Sequence, residues 1–246
     1  MKILIGSPAR QDEVTFAEYI KSINNLWVPK SAEVDKYFIL NDCPELKKYL
    51  NEGEYEELNT GDTYITDEET HYWNEDNINK MSVLRNRLID KVLEGGYDYL
   101  FMVDTDVILH PRTLVQLLSQ EKDLVANIYW TQAKPGGEGV WPNCWHYDQC
   151  VIENMNQWIV PGIYEVGGTG ACFLMKREVF EKGVNYTPIP NLRCLIGEDR
   201  DFCIRAVCNG FKIYIDTNYP ALHLYRPSVL ERYMEIKYGG KQDGTT

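Results

Sequence analysis

The chain has 246 residues, 44% of them hydrophobic and 12% aromatic, enough to fill the core of one large α/β domain or two small ones. A formal net charge of −12 argues against a sequence-independent grip on nucleic acid, which needs basic patches to displace counterions, and mildly against adsorption to anionic lipid, where a local basic patch can override the total. No apolar run approaches the roughly 20 residues of a membrane span, so no transmembrane segment is expected.

The N-terminal run Lys2 to Ser7 ends in Gly-Ser-Pro and reads as a buried first strand rather than a signal peptide. Phe16, Tyr19, Ile20, Ile23 and Trp27 recur at helical spacing, which predicts an amphipathic helix over 12–27. Lys36 to Leu40 is a second strand, stopped by Asn-Asp-Cys-Pro, and a short helix over 45–51 follows. The acidic stretch 53–76 is mostly loop, with a strand at Tyr55 to Leu58. Ile78, Met81, Leu84, Leu88 and Val92 mark a long helix closed by Gly95-Gly96. Next comes the strand Tyr97 to Val103, ending in Asp104-Thr105-Asp106, and Pro111 suits the first turn of a helix reaching about Ser119. Asp123 to Trp130 is another strand, and the Gly-, Pro- and Trp-rich stretch 131–149 reads as a loop. Gly170 to Lys176 is strand-like, Glu198 to Cys208 a helix, Phe211 to Asp216 a strand, Pro227 to Tyr238 a last helix and the final residues a frayed tail.

Alternating strands and helices are the signature of βαβ units and a mostly parallel sheet with helices on both faces. Ligands in such sheets bind at the carboxyl ends of the strands, where Ser7-Pro8, Asn41-Asp42 and Asp104-Thr105-Asp106 all lie. The seven cysteines form no CxxC, and Cys172, Cys203 and Cys208 sit in apolar segments, so buried thiols in a reduced, cytoplasmic protein are expected. Cys144, His146 and Cys150 offer three zinc ligands but no second half to a site.

Four clusters carry chemistry. In an extended segment Asp104 and Asp106 aim at one point, and two facing carboxylates repel unless a cation lies between them. Hard oxygen ligands at a strand end suit Mg²⁺ or Mn²⁺, with substrate phosphates completing the shell; a solvated turn is the plainer alternative. Glu198 and Asp199 open a helix, where acidic residues favour the helix dipole or, facing a pocket, can take a proton from a hydroxyl. His223 follows the last strand and is either a core residue or a ligand returning to the same strand edge. Gly167, Gly168 and Gly170 precede a strand and allow close approach of a ligand, or a bend.

The order of these motifs resembles the GT-A class of nucleotide-sugar glycosyltransferases of the family-2 type, from Lys2 to about Pro227. The resemblance implies a GT-A α/β fold with a mostly parallel sheet, helices on both faces and a small antiparallel part near the active site. It implies one catalytic domain over 1–226, with a nucleotide-binding half (1–108), an acceptor half (109–226) and a C-terminal helix and flexible tail (227–246). Ser7, Pro8 and Arg10 match the loop lining the nucleotide pocket. Asp42 matches the aspartate that contacts base or ribose. Arg85 and Asn86 match an Ala-Arg-Asn-like segment, here with Leu84 in place of the usual small residue. Asp104, Thr105 and Asp106 match the diphosphate and metal motif, with Asp106 and His223 expected to share one cation and Asp104 either nearer the ribose or at the metal's outer shell. Asp199 matches the catalytic base, with Glu198 beside it, and Gly167, Gly168 and Thr169 match the segment under donor sugar and acceptor.

The implied activity is a Mn²⁺- or Mg²⁺-dependent, inverting transfer of a sugar from a nucleotide diphosphate, UDP by resemblance, to an acceptor hydroxyl. The acceptor, a glycan, a peptide or another hydroxyl compound, stacks on Trp141 or Trp145 in this reading, while His146 and Tyr147 share that loop; the alternative is that these rings seal the loop against the core. No second domain is recognisable, and homo-oligomer formation is left open. A nucleotidyltransferase would carry a more glycine-rich first loop than Gly6 to Gln11, and a haloacid-dehalogenase-type phosphatase would place its DxD after the first strand. A degenerate sugar- or nucleotide-binding domain would be expected to lose the DxD or the Glu-Asp helix entrance, and both are present.

Overall fold

The structure is a computed structural model that describes residues 1–61, 67, 69, 74–135, 139–146, 155–192 and 197–239. In chain order the strands are β1 (Lys2–Ala9), β2 (Glu33–Asn41), β3 (Tyr55–Leu58), β4 (Tyr99–Met102), β5 (Val107–Ile108) and β6 (Leu124–Gln132), then β7 (Val140–Pro142), β8 (Cys144–Trp145), β9 (Ile163–Val166), β10 (Gly168–Thr169), β11 (Phe173–Lys176) and β12 (Ile213–His223). The helices are α1 (Glu13–Asn24), α2 (Glu75–Gly95), α3 (Thr113–Ser119), α4 (Arg177–Glu181), α5 (Glu198–Cys208) and α6 (Pro227–Tyr238), with short 3₁₀ turns at Pro44–Tyr49 and Met155–Ile159.

Local chemistry sets several of these boundaries. Asp12 caps α1 by accepting from the backbone N–H of Val14 and Thr15, each at 3.0 Å. Asn74 does the same for α2 through Asn77 N–H at 2.9 Å, and Gly96 ends α2 in the left-handed conformation.

The main sheet runs β3-β2-β1-β4-β11-β6-β12. Along this path pairing is parallel except at β11, which is antiparallel to both β4 and β6, so the other six strands share one direction, while β9 and β5 add to β12, and β7 to β6, in antiparallel pairing. The GT-A arrangement expected from the sequence is therefore present, including small antiparallel pairs: β8 with β10, and β5 with the end of β12. Period-two alternation divides the core. Leu4, Leu100 and Met102 pack with Leu88 and Phe202 under α2 and α5. Ile3, Ile5, Phe101 and Val103 pack on the other face with Phe16, Tyr19 and Leu114 of α1 and α3.

Five expectations need correction. The stretch 131–149 is not all loop: β6 continues to Gln132, β7 pairs back onto it and β8 pairs β10. The last strand does not stop at Asp216; a register shift between Asp216 and Ala221 carries β12 through to His223. Pro111 lies ahead of α3, and its carbonyl accepts from Trp27 N–H at 2.8 Å. Strand β9 and helix α4 were not foreseen. Cys172 and Cys203 are buried, but Cys208 is exposed in the last turn of α5. The expected frayed tail from 240 onward, with Tyr147 and Cys150 of the aromatic and zinc readings, lies outside the described residues. Among the described residues no helix is long and apolar enough to cross a membrane.

Candidate active site

The strands that point the same way end at one edge, and a cleft of about 390 Å³ opens there. Pro8 and Arg10 enter it from the end of β1, Asn41 from β2, Asp104 to Asp106 from the β4–β5 turn, Tyr129 from β6, His223 and Tyr225 from the end of β12, Arg85 from α2 and Glu198 and Asp199 from the start of α5.

Asp104 and Asp106 do not stand on an extended segment. Val107 N–H donates to Asp104 C=O at 3.0 Å, so 104–107 is a tight turn. Tyr19 of α1 holds its entrance, donating its hydroxyl to Val103 C=O at 3.0 Å. The turn sends the two carboxylates to different partners. Both oxygens of Asp104 receive Arg85 Nη2 at 3.3 Å, whereas Asp106 Oδ2 lies 3.2 Å from His223 Nε2. Strand pairing makes the second contact: β5 pairs the end of β12 with Val107 opposite His223, and Leu224 N–H donates to Asp106 C=O at 2.7 Å.

Arg85 is the hub. Its guanidinium is only 5% exposed and reaches Asp199 Oδ1 at 2.5 Å and Glu198 Oε1 at 3.5 Å as well as Asp104. One buried cation thus serves three carboxylates. Burial raises the Asp199 carboxyl above the usual range; Arg85 opposes this, and Glu198 and Asp104 add to it. Glu198 moves the same way, chiefly from burial and again against Arg85. The crowd of carboxylates holds Arg85 firmly charged despite its burial. Asp199 keeps a quarter of its side chain exposed to the cleft, and its Oδ2 accepts no hydrogen bond among the described residues.

The remaining sequence candidates are dispersed. Ser7 is fully buried with its hydroxyl donating to Pro8 C=O. Asp42 stands in a left-handed conformation facing an adjoining hollow, its Oδ2 3.1 Å from the Thr60 hydroxyl. Asn86 is turned away from the cleft: it accepts from Tyr186 N–H at 2.7 Å and donates to the Thr187 hydroxyl at 3.2 Å. Gly167 N–H donates to Trp145 C=O at 2.8 Å, the Trp145 indole covers Gly168, and Thr169 is buried beneath Asn143. Trp141 is part of β7 and 39% exposed, and His146 packs against Trp158 at 4.6 Å. The sequence reading passed over Tyr129 and Thr131 and took Gly170 only as one of three glycines ahead of a strand. A Cβ on Gly170 would stand 2.2 Å from Asp199 Oδ2. The alternation Tyr129, Thr131 along a strand ending at the cleft was the available signal for the other two.

The donor chemistry at Asp106 and His223 fits a divalent cation of the Mn²⁺ or Mg²⁺ kind, one carboxylate oxygen and one imidazole nitrogen sharing a point. Among the described residues no three His, Cys, Asp or Glu side chains converge to hold a metal by themselves. Such a cation would therefore keep several positions for substrate oxygens and water, as is usual for Mg²⁺ at phosphate sites.

No family model matches the chain, and no curated protein matches it in sequence. Solved structures do match its fold. GalNAc-T7 in complex with UDP, GalNAc and Mn²⁺ superposes with a TM-score of 0.58 over 92% of this chain at 15% identity. TarS 1–349 of S. aureus superposes with a TM-score of 0.54 over 96% of this chain at 14% identity. The chain corresponds to 44% of the first and 64% of the second. The fold is GT-A.

Proposed function

We propose that the protein is a metal-dependent, inverting glycosyltransferase that moves a sugar from a nucleotide diphosphate, UDP by likeness to GalNAc-T7, to an acceptor hydroxyl. The observation that carries this reading is the meeting of Asp199, Arg85, Asp104, Asp106 and His223 in one cleft at the strand ends of a GT-A fold.

Each residue has a part. Asp106 and His223 would hold the cation, which supplies positive charge to the departing diphosphate. Pro8, Arg10 and Asn41 would line the donor side, and Asp104, held by Arg85, lines the same cleft. Asp199 takes the proton of the acceptor hydroxyl at Oδ2, while Arg85 fixes its Oδ1. A carboxyl raised by burial, with the opposing pull of Arg85 already included, is a stronger base than an ordinary aspartate once it is ionised. A single base facing the leaving group across the cleft gives inversion at the anomeric carbon. Trp141 and Trp145 remain the proposed acceptor-side aromatics, although Trp145 is engaged with Gly168.

The test combines thermal shift and turnover. One UDP-sugar is expected to raise the melting temperature of the parent protein only with Mn²⁺, since binding to the native state stabilises it by mass action. Asp199→Asn should keep that shift and lose turnover by about 10²-fold or more. Wild-type turnover in Asp199→Asn would overturn the base assignment. Stabilisation by a nucleotide sugar without turnover in the parent would favour a binding domain, and a shift independent of Mn²⁺ would remove the metal.

A further inference from the structure

His223 has two ring nitrogens, and only one faces the proposed cation position. Nε2 lies 3.2 Å from Asp106 Oδ2, and Nδ1 lies 2.7 Å from the Thr131 hydroxyl. The second contact follows from strand register. In β6 and β12, Tyr129 pairs with Ala221, so two residues on along both strands Thr131 comes beside His223. The ring is flanked by Tyr129 at 4.5 Å and Tyr225 at 5.1 Å between centroids and is 9% exposed. Two aromatic faces and a hydroxyl thus fix the imidazole plane, and the polar side chain at Nδ1 is Thr131.

Without a cation, Nε2 can meet Asp106 only by donating a hydrogen, and a neutral ring must then accept at Nδ1. With a cation at Nε2, the lone pair is needed there and the hydrogen must sit on Nδ1. A threonine hydroxyl can donate to Nδ1 in the first state and accept from Nδ1–H in the second. A carboxylate, which only accepts, or an ammonium, which only donates, would favour one state over the other.

We propose that Thr131 is a positioning residue for metal binding: by donating or accepting at Nδ1 it satisfies His223 in both tautomers and aims Nε2 at the cation position beside Asp106. The proposal rests on the metal-dependent reading above and adds a residue to it. Partners of this kind, which touch the ligand and not the metal, commonly change metal affinity 10- to 100-fold. Valine has the shape of threonine without the hydroxyl, and serine retains the hydroxyl.

The experiment is Mn²⁺ titration of the parent, Thr131→Val and Thr131→Ser, following free Mn²⁺ by electron paramagnetic resonance with no donor present. The expected result is a Kd about 10-fold or more higher in Thr131→Val and restored to within about threefold of the parent in Thr131→Ser. Imidazole ¹⁵N spectra with Mg²⁺ supply a second readout: in the loaded parent the proton of His223 should sit on Nδ1. Equal Mn²⁺ affinity in parent and Thr131→Val, or a proton on Nε2 in the loaded parent, overturns the role of Thr131 while leaving the metal reading intact. A weakened Thr131→Val that serine does not rescue shows a packing effect and also overturns it. A parent that binds no Mn²⁺ overturns the metal reading itself, and the proposal falls with it.

Discussion

Gly170 decides where Asp199 can stand. The backbone there needs no left-handed conformation, so alanine would fit its φ, but its Cβ would come within 2.2 Å of Asp199 Oδ2. The carboxylate would have to move, and its Oδ1 is tied to Arg85. A displacement near 1 Å at a reacting group can cost about 10²-fold in rate. Gly170→Ala is therefore expected to lower kcat by about that factor while keeping the Mn²⁺-dependent thermal shift with donor; an unchanged kcat would mean the present position of Asp199 is not the working one. The acidic members of the site were legible because a carboxylate at the end of an apolar run needs an explanation. Gly170 was legible only as one of several glycines, because its role lies in a clash that its absent side chain avoids. Thr131 reads in sequence as the first residue of a loop, and the 104–107 turn was hidden because Asp-Thr-Asp fits a strand end and a turn equally well.

At the scale of elements, α6 shows how a helix with no buried residue is held in place. Its start is tied by the buried Arg226, whose guanidinium donates to Gln132 C=O at 2.8 Å and Glu69 C=O at 3.2 Å. Its end is tied by Glu18 of α1, a carboxylate only 2% exposed, which receives Lys237 and Lys21 at 2.6 Å, Tyr238 at 2.8 Å and Tyr233 at 3.0 Å. Burial alone would raise the Glu18 carboxyl, but these four donors bring it down to about 2. The folded value lies below the ordinary 4.5, so the stabilisation is complete above about pH 4.5 and is lost as pH falls toward about 2. Amide exchange over 227–238, corrected for intrinsic rates, should stay slow at pH 5 and speed up as pH drops toward 2. Glu18→Gln should show faster exchange there already at neutral pH, by about 10-fold or more, since hydrogen bonds to a charged group each contribute about 1.5–3 kcal/mol. Protection in α6 that is the same in parent and variant would mean its packing does not depend on Glu18. The helix itself was readable from Pro227 and the pattern after it. Its anchor was not, because Glu18 is a charged residue on the buried side of an amphipathic helix and its partners within α6 lie more than 200 positions away.

The whole molecule is bound together by one strand out of sequence order. β11 comes from the second half of the chain yet lies between β4 and β6, completing the sheet that β1, β2 and β4 begin. The core on one face mixes Leu4, Leu88 and Leu100 with Phe173, Phe180 and Phe202. Removal of residues 109–226 would leave β4 an open edge and expose that face of α2 to water. Residues 1–108 and 109–226 are thus expected to unfold together, although chains longer than about 150 residues often unfold in steps. The two halves carry different probes. α1 and α2, the 12- and 21-residue helices of the first half, supply about half of the helical signal in far-ultraviolet dichroism, whereas Trp130, Trp141, Trp145 and Trp158 make fluorescence report chiefly on the second. Coincident urea midpoints by the two signals are the expected outcome, together with no cooperative transition for residues 1–108 made alone. Separate midpoints, or a cooperatively folding 1–108 fragment, would show that β11 docks onto a half that is already stable. In that case Arg85 and Asp104 from one half and Asp199 and His223 from the other would be brought together by docking rather than by a common core.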